Sequence, residues 1–331
     1  MTKFQAFKIE QTDGGVQGEI QTLSLSDLPS SEVLIHVRFS SINFKDGIVS
    51  QPDNALVKDY PIIPGIDLAG EVVKSSDQRF KEGDRVIATS YEIGVNHHGG
   101  FSEYANIPAD WIVPLPEGIT LEEAMIYGTA GFTAALSVHR LEQNGLSTDD
   151  GPVLVTGATG GVGSMAVAML AKRGYEVEAS TGSFEHKEYL KDLGASKVIS
   201  REEVYDGKLK PIGSQRWAAA VDPVGGEQLA SLLGQLKYNG GAAVSGLTGG
   251  TEIPTQVYPF ILRGISLLGI DSVYCPMDTR KKVWHRMAND LKVKESFNRI
   301  KVVHSLSDVQ DTLEQILQGK TRGRSIVKMD H

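Results

Sequence analysis

PVLVTGATGGVGSMAVAMLAKRGYEVEAST, residues 152–181, decides the fold. PVLVT is short, apolar and β-branched, which reads as a strand. SMAVAMLAKRG is made of helix formers and stops on Gly174, and YEVEAST reads as a second strand. Between the first strand and the helix stands Gly157-Ala158-Thr159-Gly160-Gly161-Val162-Gly163. Glycine there permits a tight turn, close approach of backbone to a diphosphate, and close packing of helix on strand, while the free amides of the helix start face the anion. Glycine clusters also occur in ordinary turns. The order strand, loop, helix, strand is what makes this one a dinucleotide site.

Working outward, HKEYLKDLGA continues as a helix, KVIS as a third strand, WAAAVD as a fourth and GGAAVSG as a fifth. Strands alternating with helices at this spacing give an α/β fold with a doubly wound parallel sheet. Ser245-Gly246-Leu247 follows the fifth strand, where ligands of open α/β sheets bind. Upstream, residues 1–120 are strand-rich: EVLIHVRFS at 32–40 alternates apolar and polar, and 70–74, 85–89 and 111–113 are short β-type stretches between Gly and Pro. From Leu121 a helix-length segment broken by glycines leads into the parallel sheet. The tail from Lys301 reads strand, helix, strand and has no place in that sheet, so it is expected to return to the first domain. The expected division is 1–121 with 299–331, and 122–298.

The end of the second strand bears on the cofactor. An NAD site usually has an Asp or Glu about 20 residues past the glycines to accept from the ribose 2′-hydroxyl. Here stand Ser180-Thr181-Gly182-Ser183, with Lys187 and Arg201 nearby in sequence to meet a 2′-phosphate. NADPH is favoured; NADH stays possible because Glu178 and Glu185 flank the turn. Lys187 has a plainer reading, as a solvated helix charge.

Composition excludes several classes. Of 331 residues 36 are Gly and only Cys275 is Cys, so neither an internal disulfide nor a Cys-rich zinc site can form. The lone thiol fits a cytoplasmic protein. Lys plus Arg number 33 and Asp plus Glu 41, a net charge of −8, which favours neither nucleic acid nor an anionic membrane as partner. No apolar run reaches the ~18–20 residues of a membrane span, and no signal peptide is evident.

With these residues in hand the chain resembles the medium-chain dehydrogenase/reductase superfamily, within it the zinc-free quinone-oxidoreductase-like branch and the YhdH/YhfP subfamily. The resemblance runs through NFKDG at 43–47, PGIDLAGEV at 64–72, GDRV at 83–86, NHHGGFSEY at 96–104, GTAGFTA at 128–134, TGATGGVG at 156–163, VDPVGG at 221–226 and GRSIVKM at 323–329. It implies a GroES-like catalytic domain, a Rossmann domain inserted before the C-terminal segment, and a homodimer formed through the Rossmann sheet edge at 265–270. It also implies that Thr129 lies beside the cofactor, and that Leu247, Ile261 and Ser272 contact its nicotinamide half. Zinc members carry a Cys and a His where this chain has Asn43 and Ile66, so no catalytic zinc is expected. The neighbours His97 and His98 do not make a metal site by themselves.

Without a Lewis acid to hold an alkoxide, the reaction expected is one whose charge hydrogen bonds can manage. Reduction of a C=C bond conjugated to a carbonyl fits: hydride goes to the β-carbon, charge gathers on the enolate oxygen, and a proton goes to the α-carbon. The resemblance implies acrylyl-CoA or a related enoyl thioester or enone as substrate. A broad quinone oxidoreductase and a non-catalytic NADPH-binding protein are the alternatives. The residues at 43–46 are the first candidates for the site. Asn43 offers its amide to a substrate carbonyl or to the nicotinamide ribose, Lys45 offers a proton or a positive charge, and Asp46 would fix Lys45. Equally, Lys45 and Asp46 read as a surface helix cap. Phe44, where many relatives have Tyr, can touch a cofactor but cannot donate a proton, which leaves water or Lys45 as the source. Asp67 reads either as an internal hydrogen-bond anchor or as a pocket residue.

Overall fold

The computed structural model describes residues 2–13, 15–52 and 54–329. In chain order it begins with β1 (Lys3–Thr12), β2 (Gly15–Ser24), β3 (Val33–Ile42), α1 (Phe44–Val49), β4 (Asp67–Ser75), β5 (Arg85–Thr89), β6 (Tyr104–Ile107), β7 (Ile112–Pro114) and α2 (Leu121–Gln143). There follow β8 (Val153–Val155), α3 (Gly161–Lys172), β9 (Val177–Thr181), α4 (Lys187–Asp192), β10 (Lys197–Ser200), β11 (Trp217–Asp222), α5 (Gly226–Leu233), β12 (Leu236–Val244), α6 (Tyr258–Arg263) and β13 (Ser266–Gly269). The chain closes with α7 (Met277–Ala288), α8 (Phe297–Ile300), β14 (Lys301–His304), α9 (Val309–Leu317) and β15 (Arg324–Lys328).

Two compact units result: Met1–Thr129 with Val273–Lys282 and Ile300–His331, and Ala130–Ser272 with Val283–Arg299. The sequence reading gives Val273–Lys282 to the Rossmann part. Here it packs with the first unit, because Arg280, fully buried, needs acceptors. Arg280 Nη1 donates to the carbonyl and hydroxyl oxygens of Thr89 at 3.2 and 3.0 Å, and its guanidinium lies 4.5 Å from the Tyr91 ring centroid.

In the first unit β3 pairs with β15, β4 and β6, in a sheet of order β14-β15-β3-β4-β5-β7. Its strands are antiparallel except β14 on β15. Val33, Ile35 and Val37 alternate along β3 and point into a core with Ile66, Leu68, Phe101 and Val327. β1 and β2 form a separate hairpin.

The second unit is a six-stranded parallel sheet of order β10-β9-β8-β11-β12-β13. Every residue of β8 and β11 is buried, which is why both read as nearly unbroken apolar runs. Strand order reverses between β8 and β11, so the crevice at their carboxyl ends is the place for a ligand. β10 and β13 are its edge strands. Among the described residues no helix is long and apolar enough to cross a membrane.

Candidate functional site

In the first unit, the turn from β3 into α1 carries the residues at 43–46. Asn43 has extended backbone (φ −125°, ψ 160°) and caps the helix start. Asp46, fully buried, accepts from the Asn43 N–H at 2.7 Å and from the Ile66 N–H at 2.9 Å. It therefore ties α1 to the segment that leads into β4. Burial, and next the charge of Asp67, push its carboxyl up to about 7 against the pull of those bonds.

Asp67, also fully buried, is the hub. Its Oδ2 accepts from Ser41 Oγ at 2.6 Å, Asn43 Nδ2 at 2.8 Å and the Thr129 N–H at 2.8 Å, and its Oδ1 accepts from Thr129 Oγ1 at 2.5 Å. The cation of the cluster is Arg324 on β15, 2% exposed, with Nη2 3.8 Å from Asp67 Oδ2. Its other bonds go to the carbonyls of Ile126 and Ile42, each at 3.2 Å, to Asn43 Oδ1 at 3.1 Å and to Ser41 Oγ at 2.9 Å. Burial lowers the Arg324 pKa, opposed by Asp67 and Asp46. Gly128 makes this convergence possible. Within α2 its backbone leaves the helix at φ 49°, ψ −156°, and a Cβ there would lie 2.4 Å from Ser41 Oγ, 2.5 Å from Asp67 Oδ2 and 2.6 Å from Arg324 Nη2.

Two expectations change. Asn43 Nδ2 already donates to Asp67 and, at 3.3 Å, to the Ser41 carbonyl, so its amide is an anchor of the cluster with both donors engaged. Asp46 does not hold Lys45: its oxygens serve two backbone amides, and among the described residues no ion pair joins the two. Lys45 is half-buried, and Phe44 beside it is 38% exposed. His97 Nε2 lies 2.7 Å from the Asn106 carbonyl, and His98 Nδ1 accepts from the Ile63 N–H at 3.4 Å. Burial lowers both imidazoles, that of His98 to about 4. Among the described residues no group of three or more His, Cys, Asp or Glu is placed to hold a metal ion.

In the second unit the loop 157–163 joins β8 to α3. A Cβ on Gly163 would stand 2.3 Å from the Gly157 carbonyl oxygen and 2.6 Å from Ala158 Cα, so the helix start lies directly on the loop. A Cβ on Gly160 would meet only the Gly157 oxygen, at 3.4 Å. The first turn, where Gly161 and Val162 stand with free amides, contains no acidic residue of its own. Thr159 Oγ1 lies 3.4 Å from Thr181 Oγ1, which also accepts from the Ser183 N–H at 2.9 Å. Ser180 Oγ at the end of β9 and Ser245 Oγ after β12 are buried without a hydrogen-bond partner among the described residues. Buried hydroxyls left this way fit a ligand that brings its own partners.

Of the two carboxylates that kept NADH open, Glu178 faces elsewhere, accepting from Trp217 Nε1 at 2.9 Å, while Glu185 is exposed in the turn after β9. The Arg201 guanidinium rests on Gly182, where a Cβ would stand 2.5 Å from Nη2. Arg201 Nε has a carboxylate at 3.5 Å, Glu202, in an exposed pair worth little. Lys187 Nζ lies 5.3 Å from the Phe184 ring centroid. After the other strands, Gly246 follows Ser245, Leu247 is 56% and Ile261 69% exposed, and Ser272 is half-buried.

Residues 29–117 match the alcohol dehydrogenase GroES-like domain family and residues 161–289 the zinc-binding dehydrogenase family. The chain is 60% identical over 328 residues to YhfP of Bacillus subtilis, spanning 99% of either chain. It belongs to the medium-chain dehydrogenase/reductase superfamily. Within the superfamily it is an oxidoreductase, and it is also similar to the acrylyl-CoA reductase AcuI of Ruegeria pomeroyi, at 47% identity with 97% of each chain covered. Its fold is that of the superfamily, a GroES-like domain plus a Rossmann domain. A crystal structure of Bacillus subtilis YhfP with NAD bound superposes with a TM-score of 0.97, covering 99% of this chain and 100% of that one. The YhdH oxidoreductase of Salmonella enterica in complex with NADP gives 0.96 at 42% identity, covering 98% and 100%.

Sequence reasoning missed Arg324 and Ser41 as members of the cluster. Arg324 stands in GRSIVKM, where an Arg before apolar alternation reads as a strand-end surface charge; only pairing of β15 with β3 brings it to Ser41 and Ile42.

Proposed function

We propose that this oxidoreductase is an NADPH-dependent reductase that delivers hydride to a C=C bond conjugated to a carbonyl, in acrylyl-CoA or another enoyl thioester or enone. The observation that carries the cofactor choice is the end of β9, where Glu178 is occupied by Trp217 and the guanidinium of Arg201 rests on Gly182. The strand itself offers a 2′-hydroxyl no carboxylate, since Glu178 is engaged, and a 2′-phosphate finds a cation. The loop 157–163 would hold the diphosphate, and Ser180, Ser183 and Arg201 the phosphorylated ribose. NADPH, when bound, supplies the hydride.

The likeness to AcuI supports an enoyl thioester. The cluster around Asp67 fixes Thr129, Asn43 and Ser41 so that they need no reorganisation during reaction. With Asp46 protonated, the charges of Arg324 and Asp67 balance, and nothing in the cluster opposes an enolate forming nearby. The α-carbon takes its proton from water or from Lys45. We also propose a homodimer through the edge strand β13, supported by α6, whose Ile261 and Leu262 are 69% and 52% exposed.

The test is loss of NADPH absorbance with acrylyl-CoA, crotonyl-CoA and a quinone panel. Acceleration by the thioesters above the quinones is expected. Equal rates would mean a broad quinone reductase, and tight NADPH binding with no oxidation by any acceptor a non-catalytic binder. Arg201→Ala should weaken NADPH more than tenfold and leave NADH unchanged; equal loss for both would remove the 2′-phosphate assignment.

A further inference from the structure

Ser90 follows β5 with φ 65°, a left-handed backbone that suits glycine and strains serine, and Tyr91 after it repeats the conformation at φ 50°. The residue is 1% exposed. Its N–H donates to the Ile66 carbonyl at 2.7 Å, a bond that glycine would make equally well. What serine adds is one hydroxyl, and that hydroxyl lies 2.9 Å from Thr129 Oγ1.

The direction of this bond follows from its neighbour. Thr129 has a single hydroxyl proton, and it goes to Asp67 Oδ1 at 2.5 Å. Ser90 is therefore the donor, and the chain runs Ser90 to Thr129 to Asp67. We propose that Ser90 is a positioning residue: by donating to Thr129 Oγ1 it holds that oxygen in place and, with the proton already committed to Asp67, leaves one lone pair and no proton to face the bound cofactor. This rests on the reading above that Thr129 lies beside the cofactor.

The backbone strain makes the test clean. Ser90→Gly removes the hydroxyl and relieves the strain, whereas Ser90→Ala removes the hydroxyl and keeps it. In the full chain, NADPH affinity by fluorescence titration should fall about threefold to tenfold in both variants, the loss expected for one hydrogen bond. The glycine variant should nevertheless melt above the alanine variant, by about 2–4 °C. A merely structural role would make affinity follow melting temperature. Thr129→Val should weaken NADPH by itself, and adding Ser90→Gly to it should cost nothing more. Unchanged affinity in Ser90→Gly, or an equal further loss in the double variant, overturns the proposal for Ser90. Unchanged affinity in Thr129→Val overturns instead the placement of Thr129 on which it rests.

Discussion

Gly128→Ala tests whether the buried cluster is what the first unit is built around. The native backbone, φ 49° with ψ −156°, belongs to glycine, and holding another residue there costs about 1–3 kcal/mol. The added methyl also falls 2.4–2.6 Å from Ser41 Oγ, Asp67 Oδ2 and Arg324 Nη2, none of which can retreat without breaking a bond to another member of the cluster. Overpacking of this kind costs roughly 1–3 kcal/mol more. The sum, about 2–6 kcal/mol, corresponds to a fall in melting temperature of roughly 4–20 °C. Gly83→Ala is the control: Gly83 also has positive φ, 86°, but its Cβ would meet nothing within 4 Å. It should lose only the strain without the collision, about 1–2 kcal/mol. Differential scanning calorimetry measures both, and NADPH oxidation should fall on the order of a hundredfold in kcat/KM for Gly128→Ala, as a displacement of about 1 Å can cause. If the two alanine variants melt together and Gly128→Ala turns over normally, the cluster is neither rigid nor part of the site.

Other perturbations address the charges and the loop. Arg324→Met leaves Asp67 buried without its cation and should cost about 3–5 kcal/mol in urea unfolding, with Arg324→Lys recovering only part because Lys lacks the fork that reaches four acceptors. The Asp46 carboxyl, raised to about 7, makes the folded chain hold a proton that the unfolded chain has released, so its contribution to stability is full below about 4 and is lost as pH rises to about 7. The lowered imidazoles of His97 and His98 act in the opposite sense, losing stability as pH falls below about 6.5. Asp46→Asn should therefore leave a chain whose stability rises from pH 5 to 8 more steeply than that of the parent; identical slopes would mean that Asp46 does not titrate there. Finally, Gly160→Val should weaken NADPH with little change in the melting temperature of the free chain, whereas Gly163→Val should lower both, because only its Cβ strikes the loop backbone.

The parallel sheet was legible because its strands are buried on both faces. WAAAVD is apolar up to its final Asp222 and KVIS has an apolar centre, and the predicted limits coincide with β11 and β10. The β1–β2 hairpin was not singled out, since β2, GVQGEIQTLS, has no fully buried position and so little apolar alternation to show. At the site, the glycine loop stood out because its function depends on local backbone. Arg324 did not, because a buried arginine and a surface arginine are the same letter; the difference is made by Ser41, Ile42 and Asn43, far away in the chain. Asp46 was recognised for its charge and misjudged in its partner, since the Ile66 amide that takes its second oxygen is a contact that spacing within 43–46 cannot reveal.

The bond between Arg324 and Asn43 spans 281 positions. During synthesis Asn43, Asp46 and Asp67 leave the ribosome long before Arg324, the cation that balances Asp67, and in the meantime the whole parallel sheet is made. The Asp67 carboxylate is costly to seal away from water without a counter-charge, so the amino-terminal part is expected to keep its interior wet at Asp67 while the domain encoded after it folds locally. The last strand then acts as a closing bolt. The first unit can be completed only after the second has been made, and errors near the end of the message reach the interior of the part made first.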